Sequence, residues 1–189
     1  MAGQPRVLAS FVHGTLEVID SMDDDLGRRV RESLEAGTLA EIENAWAAGW
    51  VPVRCDVELT TAFFRLAGTR RGCEAMRRNM SETFHKPVLR SIIDGATRIF
   101  GLSPGKLLRW SPRIWPLLFK DMGDLAVEAG DGTAAVTLSG LPPEVAENRE
   151  YLTGTASALA AVFDLSGVPG ESCLVDHGDG QARFALSWS

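Results

Sequence analysis

The chain predicts an α+β fold: a mainly helical N-terminal two-thirds, then a hairpin–helix–hairpin unit forming a small antiparallel sheet packed on helices. Two hairpins and the helix between them carry the prediction. The first hairpin reads Leu125 to Ala129, the turn Gly130-Asp131-Gly132, then Ala134 to Leu138. The second reads Cys173 to His177, the turn Gly178-Asp179-Gly180, then Ala182 to Trp188. Asp-Gly between alternating apolar runs signals a tight hairpin, because glycine adopts the positive φ such turns need. Between them, Tyr151, Leu152, Thr155, Leu159, Val162 and Phe163 recur on one side of a helix spanning about 148–163, which Gly167 and Pro169 end. In the last strand Ala182, Phe184, Leu186 and Trp188 share one face, which should pack on the helices.

The N-terminal elements follow the same rules. Leu8, Phe11, Val12, Leu16 and Ile19 recur at helical spacing, with Gly14 against the pattern. The acids at 23–25 can cap and charge a second helix through Leu26, Val30 and Leu34. Thr38 and Glu41 have capping-box spacing for a helix from Leu39 to Ala48. Gly49-Trp50-Val51-Pro52-Val53 reads as a turn into a helix carrying Val57, Leu59, Phe63, Phe64 and Leu66, which Gly68 stops. A basic amphipathic helix is expected around Cys73 to Met80, and the longest helix from about Pro87 to Phe100. Ser103-Pro104 opens a short helix to Trp110, and Ser111-Pro112 opens another that Pro116 interrupts. Two prolines should prevent this segment from forming one regular helix.

Composition bounds the function. A chain of 189 residues, 45% hydrophobic and 23% charged, suits one globular domain over residues 1–189. A net charge of −6 argues against general binding of nucleic acid or anionic membranes. No apolar run approaches the roughly 20 residues of a membrane span. No basic-then-apolar leader opens the sequence, so the expected location is cytoplasmic. Cys55, Cys73 and Cys173 are odd in number and far apart, which fits free thiols, each read as a buried small hydrophobe.

The helical front, the hairpin–helix–hairpin back and the closing Phe184-x-x-x-Trp188 resemble the superfamily that joins four-vinyl-reductase domains and heme-NO-binding domains. More closely, the chain resembles a bacterial family without an assigned activity that sits near that superfamily. The carrying segments are Val7 to Gly14, Gly49-Trp50-Val51-Pro52, Tyr151-Leu152-Thr153-Gly154 and the terminal Asp179-Gly180 hairpin. The resemblance implies a sensory or protein-interaction scaffold, often dimeric, with a cavity between helices and sheet. It also implies departures. A heme-NO-binding domain needs a proximal histidine on a central helix and a Tyr-x-Ser-x-Arg clamp. Here the single tyrosine, Tyr151, is followed by Leu-Thr-Gly-Thr. Zinc-bearing four-vinyl-reductase relatives use clustered cysteines near the last hairpin, where this chain has Cys173 alone and Ala182 in the place of a second thiol.

The chemistry-bearing residues are sparse. Cys173 and His177, four apart in one strand, should share a face with Glu171, beside Asp179 in the turn. That is half a metal site or simply a half-exposed hairpin, since zinc usually takes four ligands. His85 lies at a helix start, as a surface histidine or a divergent heme ligand. Arg65, Arg70, Arg71, Arg77, Arg78, Lys86 and Arg90 make a basic stretch. Glu74 and Glu82 can pair with it as a solvated face; otherwise it meets an acidic or phosphate-bearing partner. The segment 107–119, with Trp110 and Trp115, can be core, pocket or interface.

No G-x-S-x-G, phosphate loop or dinucleotide fingerprint is present, so no catalytic residue is assigned and an enzyme is not expected. The expected function is a non-catalytic sensory or binding module for a small apolar ligand or a protein partner, needing no metal and no cofactor. The alternatives are a divergent heme- or metal-dependent sensor using His85 or His177, and a scaffold subunit of a larger assembly. Any pocket should lie between the long helix and the C-terminal sheet, lined by Ile92, Ile93, Ala96, Trp110, Trp115 and Phe184. The tryptophan-rich segment also predicts a homodimer.

Overall fold

The computed structural model describes residues 3–86, 89–91, 93, 95 and 103–189. Its elements run β1 (Arg6–Leu8), α1 (Ala9–Met22), α2 (Asp24–Ser33), α3 (Ala36–Glu43), β2 (Trp50–Pro52), α4 (Val53–Ala67), α5 (Thr69–Phe84), α6 (Pro104–Leu118), β3 (Phe119–Lys120), β4 (Asp124–Ala129), β5 (Thr133–Ser139), α7 (Pro143–Ala146), α8 (Arg149–Leu159), α9 (Ala161–Ser166), β6 (Gly170–Gly178) and β7 (Gln181–Trp188). The expected longest helix, 87–100, falls mostly outside the described residues; 89–91, 93 and 95 are helical.

The C-terminal sheet has the antiparallel order β4-β5-β7-β6, with β5 and β7 central. Its last turn has Asp179 and Gly180 both at positive φ, 47° and 72°, the mirror-image turn whose twist matches the strands it joins. Ala182, Phe184 and Leu186 are buried, as alternation predicts. The helix packed against this unit is interrupted for one residue at Ala160, giving α8 and α9 instead of one helix. The Asn148 side chain accepts from the Tyr151 N–H and caps its start.

A second sheet, β2-β1-β3, was not expected from the sequence. Its strands of two or three residues are too short to show a period. Lys120 lies over the Trp50 ring at 4.1 Å on this sheet.

Three local expectations are corrected. The capping box at Thr38 and Glu41 does not form: α3 starts three residues earlier, at Ala36, and ends at Glu43, and Thr38 is inside it and buried. Glu58 of α4 supplies the cap instead, accepting from the Glu35 N–H at 2.6 Å and from the Thr38 hydroxyl at 2.6 Å, while Glu41 pairs with Arg54. The Pro-broken segment is one helix, α6, containing Pro112 and Pro116. Pro112 has no N–H for the Leu108 carbonyl, and the Ser111 hydroxyl donates to that carbonyl at 2.6 Å. Pro116 falls in the final turn, where few backbone bonds remain to lose.

The third correction concerns β6. Its register with β7 shifts between Leu174 and Asp176, so Val175 is an extra, bulged residue, 60% exposed. Cys173 pairs with Ala185 on the outer face, whereas His177 pairs with Ala182 on the inner face. The two side chains therefore do not share a face, because one added residue reverses the strand's alternation. Cys173 is exposed, not buried, and Cys73 is half-buried.

The buried apolar residues form one continuous cluster drawn from both sheets and the helices. Gly14 stays inside α1 because α5 comes close: a Cβ there would run into the Asn79 amide oxygen. Asn79 is buried and donates to the Phe11 carbonyl at 3.1 Å and to the Thr15 hydroxyl at 2.9 Å, tying α5 to α1.

Candidate functional site

Six helices, α1, α4, α5, α6, α8 and α9, line a partly open cavity of about 90 Å³, together with Ile93, Phe119 of β3 and Leu125 of β4. That is far more than the ~10–15 Å³ that accommodates one water. Most of the lining is apolar: Met76 and Met80 from α5, Leu107 and Ile114 from α6, Val162 and Leu165 from α9. The 104–118 periodicity turns these α6 residues inward, and the methionines bring adaptable, polarisable side chains.

Of the residues expected in a pocket, Ile93, Trp110 and Trp115 line this cavity. The Trp115 indole donates to the Gly123 carbonyl at 3.2 Å and its ring lies 4.1 Å from that of Phe119, so it is anchored as well as half-buried. Phe184 is not in the lining; it is 1% exposed and belongs to the core face of β7, between Val136 and Leu174. Ile92 and Ala96 lie outside the described residues. The cavity is thus chiefly among helices, and the C-terminal sheet reaches it only through Leu125 of β4.

Sequence reading missed the polar end of the cavity. Asp56, on the first turn of α4, is 0% exposed and lines the wall. The Tyr151 hydroxyl donates to its Oδ2 at 2.8 Å. Its Oδ1 has no hydrogen-bond partner among the described residues. Burial pushes the Asp56 carboxyl up to about 6, and the Tyr151 hydrogen bond only partly offsets this. Burial, and then the neighbouring carboxylate, hold the Tyr151 phenol well above its ordinary value, so it stays a neutral donor. The sequence signal was an acid within an apolar helix, but its partner lies 95 positions away.

The other chemistry-bearing residues sit apart from this cavity. His13 Nε2 is 2.7 Å from the Ile42 carbonyl, His85 is exposed at the end of α5, and His177 Nδ1 is 3.0 Å from the Ala146 carbonyl. Among the described residues no group of three or more His, Cys, Asp or Glu is placed to hold a metal ion. Burial pushes the Cys55 thiol up to about 11, which makes it unreactive at neutral pH. In the basic stretch, Arg77 forms a bidentate pair with Asp164 of α9, at 3.0 and 2.7 Å, and Arg78 pairs with Glu82. The Arg77 pair holds the Asp164 carboxyl below its ordinary value.

No family model and no curated protein sequence matches the chain. Solved structures do. An H-NOX protein from K. algicida in its unliganded Fe(II) form superposes with a TM-score of 0.65 at 10% identity, covering 96% of each chain. An oxygen-binding H-NOX domain related to soluble guanylate cyclases, solved as its oxygen complex, gives 0.61 at 12% identity, over 96% of this chain and 95% of that one. A mutant of T. tengcongensis H-NOX gives 0.59 at 10% identity, over 96% and 97%. The chain has the H-NOX fold. At these identities the likeness extends to the fold alone.

Heme is the group this fold implies, since it is named for related H-NOX structures. The residues here do not fit a histidine-ligated heme. All three histidines of the chain are accounted for above, and none lines the cavity. The Tyr151 phenol is neutral and engaged with Asp56, so it does not offer a phenolate.

Proposed function

We propose that this protein is a non-catalytic binding module that takes a small apolar ligand into the helix-lined cavity. The observation that carries the reading is the cavity itself: about 90 Å³, partly open and lined mostly by apolar and methionine side chains beside the hydrophobic core. Well-packed interiors keep few voids larger than a water molecule, and an apolar void is a ready binding site for an apolar molecule. The fold supports the same reading, because one of its members is an oxygen-binding domain. Ligand binding on this scaffold would serve sensing, with any protein partner reading the helical exterior and the whole acting in the cytoplasm. No helix among the described residues is long and apolar enough to cross a membrane.

The test uses the cavity's own reporters. Trp110 and Trp115 line it, so a bound hydrocarbon should change tryptophan fluorescence and raise the melting temperature. A ligand at 100 times its Kd should stabilise the fold by about 2.7 kcal/mol. Ala158, also in the wall, allows the control. Ala158→Met should fill the space and remove the response while leaving a folded protein. A panel of small hydrocarbons that moves neither signal would refute the reading.

A further inference from the structure

The donors in the cavity wall are largely engaged. The Ser111 hydroxyl donates to the Leu108 carbonyl, the Thr155 hydroxyl to the Tyr151 carbonyl, the Tyr151 hydroxyl to Asp56 Oδ2 and the Trp115 indole to the Gly123 carbonyl. Against these stands one acceptor without a partner among the described residues, Asp56 Oδ1, on a fully buried carboxylate in the same wall. A buried polar atom left unpaired is destabilising, the more so when charged, and a ligand that pairs it relieves that cost. The start of α4 is a favourable place for negative charge, since the exposed N–H groups of a helix N-terminus attract anions. The chemistry that completes this site is therefore a hydrogen-bond donor, not a second acceptor.

We propose that the cavity's ligand is a short apolar body ending in a hydrogen-bond donor, of the alkyl or aryl alcohol class, and that it docks with this donor on Asp56 Oδ1. This rests on the cavity-binding reading above and specifies the ligand class. Asp56 then acts as the specificity-determining residue, and Tyr151 as the residue that holds its carboxylate in place through Oδ2. The apolar remainder packs among Met76, Met80, Ile114 and Val162.

Three probes of nearly equal shape decide the matter: methylcyclohexane, cyclohexanol and cyclohexanone. Dissociation constants are read from tryptophan fluorescence on the full chain at pH 7.5. Methylcyclohexane reports the cavity alone. Cyclohexanol should bind wild type at least about tenfold tighter than cyclohexanone, since a hydrogen bond to a charged group is worth roughly 1.5–3 kcal/mol. In Asp56→Asn the amide can donate as well as accept, so the alcohol–ketone gap should close while methylcyclohexane binding stays. Equal binding of alcohol and ketone by wild type, alongside methylcyclohexane binding, overturns the donor anchor and leaves the cavity reading standing. The same holds for a gap that persists in Asp56→Asn. Failure of all three probes to bind overturns both. The wild-type comparison decides by itself if the variant does not fold.

Discussion

Asp56 combines full burial, a hydrogen bond to Tyr151 on one oxygen and, among the described residues, none on the other. Its carboxyl is pushed up to about 6, above the ordinary value of 3.8 that applies in the unfolded chain. Above pH 6 it is ionised in both states, and the folded state carries the cost of the buried charge. As pH falls through 6 the folded state takes up the proton first, so this group's contribution to stability rises until about pH 4. The full relief is about 3 kcal/mol, with about 1 kcal/mol gained by pH 5. Urea unfolding at pH 7 and pH 5 should therefore show wild type gaining about that much relative to Asp56→Asn. A constant difference between the two proteins would mean that the carboxyl titrates normally.

Helix α6 supplies several of the cavity's apolar residues despite its two internal prolines. Its continuity depends on Ser111, whose hydroxyl satisfies the Leu108 carbonyl that Pro112 cannot reach. Leu108 is fully buried, so water is a poor substitute. Ser111→Ala should cost about 1–2 kcal/mol in chemical denaturation. In a Pro112→Ala background, where a backbone N–H returns, the same change should be nearly neutral. If Ser111→Ala costs the same in both backgrounds, the hydroxyl is not compensating for the proline. In β6 the bulge at Val175 acts in the opposite sense, separating two side chains that simple alternation puts together.

Across the whole molecule, the tryptophan-rich segment that suggested a dimer is part-buried: Leu107, Leu108, Leu118 and Phe119 are buried, and Trp110, Ile114, Trp115 and Leu117 half-buried. Trp115 packs on Phe119, bonds to the Gly123 carbonyl and lines the cavity. Among the described residues, the large hydrophobic side chains that remain exposed are Trp46, at 78%, and Val175, far apart in the sequence. Single exposed apolar residues are ordinary and need no partner to cover them. Trp115→Arg is therefore expected to abolish cooperative unfolding followed by circular dichroism, because it places an unpaired charge in packed surroundings. A folded, monomeric Trp115→Arg protein from a dimeric wild type, seen by light scattering, would instead locate this segment at an interface between copies.

The sequence by itself determined the α+β class and both C-terminal hairpins, because Asp-Gly turns and period-two alternation are local signals that survive without their partners. It also determined which face of β7 is buried, through Ala182, Phe184 and Leu186. Only the tertiary structure decided the rest. The β2-β1-β3 sheet exists because three distant short segments meet. The cap of α3 comes from Glu58 on another helix, and Gly14 is there because Asn79 approaches it. The candidate site has the same origin. Asp56 and Tyr151 are unremarkable in isolation, and become a polar anchor only when α4 and α8 bring a carboxylate and a phenol together beside an apolar cavity. The pairing spans 95 positions, beyond the reach of any local pattern, since it is packing that removes the water from both groups.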